Sequence, residues 1–78
     1  MSDALLDRIH TDPNVMVGKP VIRGTRLTVD FVIGLLAHGA RVEDVLDEYA
    51  RLEREDIQAC LLFAQRTLAD ASFVPLAA

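Results

Sequence analysis

The residues with the clearest capacity for chemistry are Lys19, Arg23 and Arg26, set in the string GKPVIRGTRLTV at positions 18–29, where no acidic side chain interrupts an otherwise acidic chain. Such a basic concentration suits contact with phosphates, which would make binding steeply salt-dependent, and a dimer would double the charge available. The alternative is a solvated hairpin whose arginines keep an edge strand soluble or pair with nearby carboxylates. Arg54, Gln58 and Arg66, on the last predicted helix, form a second set able to reach double-stranded DNA. Glu55 and Asp56 among them work against it, because carboxylates are repelled by phosphates, and ordinary exposed residues on a core helix explain the set equally well.

Two further groups suit protein partners. Glu43, Asp44, Asp47 and Glu48 occupy one face of a predicted helix. Such a face is usually a solvated surface, although it could also steer a basic partner into place. Phe73, Val74 and Leu76, around Pro75, suit an extended segment laid in a partner groove, or one packed on its own domain or a dimer mate.

Catalysis is not expected. Gly18-Lys19 lacks the glycine spacing and the following Ser or Thr of a phosphate-binding loop. His10, Asp12 and His38 lack metal-ligand spacing, and Cys60 takes a core-facing helical position with no activating neighbour. No metal or cofactor is therefore anticipated.

The elements that must position these residues follow from local patterning. Val21-Ile22 and Leu27-Thr28-Val29 read as short strands around an Arg23-Gly24-Thr25-Arg26 loop, with glycine supplying positive φ. Ile9 stands between polar neighbours as in a short strand, Asp12-Pro13-Asn14 reads as a turn, and Val15-Met16-Val17 adds an apolar piece. Residues 1–28 are thus predicted to form a β-hairpin arm of short strands and turns.

Residues 29–70 are predicted to hold three helices. Thr28 caps the first, which runs to His38 and stops at Gly39; its spread of apolar residues predicts burial on more than one side, at the centre of the core. Val42, Val45, Leu46 and Tyr49 define the second at i, i+3, i+4 and i+7. A loop with Leu52 as an apolar plug precedes a third helix starting near Arg54, with Ile57, Leu61, Ala64 and Leu68 on one face, widened by Cys60 and Phe63. Pro75 and the change of pattern after Asp70 make residues 71–78 a short exposed tail. The order of elements fits a helix-turn-helix bundle.

Composition bounds the rest. A chain of 78 residues makes one domain, and with 51% apolar residues and a single cysteine the available route to further burial is a homodimer. A net charge of −4 argues against wholesale electrostatic binding to nucleic acid or to an anionic membrane, leaving only a local patch. No secretory pattern opens the chain and its apolar runs fall far short of a bilayer span, so a cytoplasmic protein with no membrane partner is expected.

The segment IHTDPNVMVGKPVIRGTRLTVDFVIGLLAHGARVEDVLDEYARLEREDIQACLLFA resembles the bacterial domain of unknown function 433, with GKPVIRGTR as its core string. The Gly39-Ala40 turn, the VEDVL helix, Tyr49 and the E-x-E-D-I start at residues 53–57 agree in order. Ala50 departs from the proline usual after the tyrosine, and Arg54 from a more acidic helix start. The resemblance implies a homodimeric, homeodomain-like helix-turn-helix unit of VapB-type antitoxin character, paired with a PIN-like toxin and able to bind operator DNA.

Overall fold

The computed structural model describes residues 4–70. A 3-10 helix at Ala4–Arg8 leads into strand β1 (Ile9–His10), then strand β2 (Val21–Ile22) and helices α1 (Val29–Ala37), α2 (Val42–Glu48) and α3 (Arg54–Asp70). The protein is therefore mainly helical, with three helices behind a small antiparallel sheet.

The expected hairpin forms only in part. Its turn is present, with Gly24 at φ 80°, Ile22 N–H donating to Leu27 O at 2.9 Å, and a lone bridge between Val21 and Thr28. Thr25 locks it: Oγ1 donates to Ile22 O at 2.7 Å and accepts from Leu27 N–H at 3.0 Å. The two-residue ladder, however, joins β2 to β1, with Ile9 opposite Ile22 and His10 opposite Val21. Leu27-Thr28-Val29 does not extend into a strand: it contributes only the Val21–Thr28 bridge, whose second hydrogen bond runs from Val29 N–H to Pro20 O at 2.9 Å, because Val29 already begins α1.

Nor is the first segment purely a β arm. Besides the 3-10 helix, Met16, Val17 and Gly18 take φ values of 48°, 58° and 80°, a left-handed turn in which two residues carry side chains. It is closed by Gly18 N–H to Val15 O and Lys19 N–H to Met16 O, each at 3.1 Å. L-residues visit this region at a cost of about 1–2 kcal/mol each. Val17 is 93% exposed and obtains no packing in return.

The helices start and stop where capping chemistry places them. Thr28 Oγ1 accepts from Phe31 N–H at 3.0 Å at the head of α1, and Gly39 follows its end at φ 101°. Arg41 N–H donates to Asp44 Oδ2 at 2.9 Å at the head of α2. At α3 the Asp56 carboxylate accepts from Glu53 N–H at 2.8 Å, satisfying a donor that the helix leaves open.

The core gathers Ile22, Val29, Val32, Val45, Leu52, Ile57 and Cys60. Leu52 is the plug expected of it, at 6% exposure. Two expectations about faces are corrected. α1 is fully buried only at Val29 and Val32, with Ile33, Leu35 and Leu36 partly buried against the core, while Phe31 is 42% exposed and meets Tyr49 edge-on at 5.9 Å between ring centroids. On α3 the buried face is Asp56, Ile57, Ala59 and Cys60, with Phe63 still packed against the core beyond them; Leu61 and Leu68 are exposed because their positions lie round the helix from the face that Cys60 and Phe63 share.

Candidate nucleic-acid interface

Seven of the eight basic side chains are arginines, with Lys19 the exception, and apart from Arg66 on α3 the fold divides them into two groups. Arg8 Nη1 donates to Glu53 Oε1 at 2.9 Å and to Asp56 Oδ1 at 3.0 Å. Arg41 lies 3.5 Å from Asp44, and Arg54 Nη2 donates to Glu43 Oε2 at 3.1 Å. These pairs leave their mark on titration. The hydrogen bonds to Glu53 and then Asp56 raise the Arg8 pKa, and the Arg54 hydrogen bond lowers that of Glu43. The backbone N–H of Arg41 is the main cause lowering Asp44.

Lys19, Arg23, Arg26 and Arg51 form the other group: all four are exposed, and their side chains make no ion pair among the described residues. The fold does not bring them all together. Arg23, on the hairpin turn, shares a polar depression of about 480 Å3 with Arg51 and with the Arg8–Glu53–Asp56 cluster. Arg26, on the same turn, shares an adjoining one of about 250 Å3, again with Arg51. Lys19 instead borders an apolar groove of about 440 Å3 with Ile33 of α1 and Phe63 and Leu68 of α3.

Of the helical candidates, Arg54 is held by Glu43, and Gln58 and Arg66 are exposed along α3. Arg51 was not singled out from sequence. It stands alone between Ala50 and Leu52 in a loop, and only tertiary structure sets it beside the hairpin turn.

All four acidic residues of α2 face solvent. Glu43 and Asp44 are occupied by Arg54 and Arg41, whereas Asp47 and Glu48 make no ion pair among the described residues. Phe73, Val74 and Leu76 lie outside the described residues. Cys60 is fully buried, and burial, with the nearby Asp56 charge, pushes its thiol up to about 11.

Residues 9–64 match the family described as Protein of unknown function (DUF433). The chain belongs to the DUF433 family. An uncharacterized protein of Sinorhizobium fredii, y4eO, is 33% identical over 57 residues, covering 73% of this chain and 26% of that protein. The chain therefore spans about a quarter of that relative's length. A crystal structure of a DUF433 member from Anabaena variabilis is similar at a TM-score of 0.76 and 24% identity, over 88% of this chain and 79% of that one. At that identity the likeness speaks for the fold alone. The DUF433 match takes in the hairpin turn, Arg51 and the start of α3, but ends before Thr67 and Leu68 of the apolar groove.

Proposed function

We propose that this DUF433 chain is a non-catalytic, antitoxin-like binding protein that neutralises a PIN-like nuclease toxin and represses its own operon by contacting double-stranded operator DNA. The observation that carries the DNA contact is the division among the arginines. Arg8, Arg41 and Arg54 are matched to carboxylates, while Arg23 and Arg26 on the hairpin turn make no ion pair among the described residues. Unmatched guanidiniums suit phosphates, since the planar fork offers paired donors to an oxyanion. In the helix-turn-helix reading α3 supplies Gln58 and Arg66 as further contacts.

Toxin binding is supported by the resemblance of the GKPVIRGTR string and by Asp47 and Glu48, exposed carboxylates able to steer a basic surface. The test is a titration of fluorescent operator duplex against salt. Affinity is expected to fall steeply as salt rises, and R23E/R26E to abolish it. Co-purification with the product of the adjacent reading frame tests neutralisation, and failure to capture it counts against that half of the proposal.

A second reading, a homodimeric protein-interaction module with no DNA activity, is favoured by the apolar groove along α1 and α3 and by Leu68, 73% exposed at its edge. Light scattering of the native chain and L68D separates the readings: a dimer that dissociates in L68D and ignores DNA supports the module.

A further inference from the structure

We infer that Arg51 completes a phosphodiester-binding surface with Arg23 and Arg26, so that the loop between α2 and α3, and not only the hairpin turn, grips the nucleic-acid backbone. The inference rests on the DNA reading above and adds to it a residue and a geometry.

Arg51 is common to two neighbouring depressions, one shared with Arg23 and the other with Arg26. Three exposed arginines from two separate loops therefore line two depressions that have Arg51 in common. Its position is not left to a floppy loop. Leu52 is sunk in the core at 6% exposure and its N–H donates to Tyr49 O at 2.9 Å, which anchors the residue next to it.

The neighbouring charges are already assigned. Glu53 and Asp56 border the larger depression, but both carry the Arg8 guanidinium, at 2.9 and 3.0 Å. Asp7 is the remaining carboxylate there, and it makes no ion pair among the described residues. Arg8 offsets only one of the Glu53 and Asp56 charges, so the larger depression balances three arginines against three carboxylates; Arg26, on the smaller depression where no acidic residue is found among the described residues, tips the shared surface to one net positive charge.

Arginine and not lysine supplies all three positions, which suits close bidentate contact with phosphate oxygens. A chain of net charge −4 cannot rely on its overall field to attract a polyanion, so such short-range donors must provide the affinity. The phosphodiester backbone presents regularly repeated oxyanions to donors arranged along a surface, and such backbone contacts make up about half or more of protein–DNA hydrogen bonds.

The experiment measures anisotropy of a short fluorescent duplex, from the region upstream of the chain's own reading frame, across a salt series. The native chain is compared with R51A, R51K and D7N, each first shown by thermal melting to be folded. R51A is expected to weaken binding about tenfold and to flatten the salt dependence by about 0.9 in the logarithmic slope, the signature of one lost phosphate contact. R51K should restore the slope, and D7N should tighten binding. If the native chain binds the duplex and R51A matches it in affinity and slope, the Arg51 inference is overturned while the hairpin reading stands. If the native chain ignores the duplex but binds polyglutamate through Arg51, both are overturned in favour of an acidic protein partner.

Discussion

Arg8 and Asp56, 48 positions apart, meet at 3.0 Å, and the same carboxylate caps α3 through Glu53 N–H at 2.8 Å. One oxygen of Asp56 thus holds the N-terminal segment while the other finishes a helix. D56A is expected to cost about 2 kcal/mol in urea unfolding, as a lost cap and a lost charge-assisted hydrogen bond together. D56N, which keeps an acceptor for Glu53 N–H, should cost about half as much. Equal losses in the two variants would show that the cap contributes nothing.

Acid should loosen both the α2–α3 contact that Glu43 makes with Arg54 and the cap that Asp44 makes at the head of α2. Glu43 and Asp44 are held below their ordinary values of 4.5 and 3.8, so their contribution is present above those values and disappears as pH falls through the lower folded-state ones. In E43Q/D44N the decline of stability in that acid range should be shallower than in the native chain. Melting temperature followed against pH provides the check.

The Cys60 thiol should resist labelling until the domain opens. With no exposed surface and a pKa near 11, it offers negligible thiolate at neutral pH. A disulfide reagent added at rising urea concentration should react along the unfolding transition, and rapid reaction in the absence of urea would contradict this burial.

Leu52→Ala should act at two levels. Removing a buried leucine costs about 2–5 kcal/mol, and it also frees the loop that presents Arg51. Under conditions where the variant is still folded, DNA affinity should drop toward that of R51A, whereas Cys60→Ala, away from the loop, should leave it unchanged.

Local chemistry made much of the helical part legible. Thr28, Gly39 and the Val42–Val45–Leu46–Tyr49 spacing located α1 and α2, and an apolar residue between polar ones identified Leu52. What depended on distant partners was not legible. The β1–β2 pairing, the Arg8 clasp and the meeting of Arg51 with the hairpin turn are all tertiary facts. Leu61 and Leu68 misled because their spacing from Ile57 keeps them near one face but does not say how far round the helix the opposing core reaches.

The left-handed turn at Met16–Gly18 bears on the order of assembly. A free peptide has little reason to dwell there, so the turn forms once β1 and β2 have fixed its two ends and closed the loop between them. It should be the last piece to lock during folding and the first to release, giving the Gly18 and Lys19 amides the fast hydrogen exchange of a local opening while the Val32 amide waits for the whole domain.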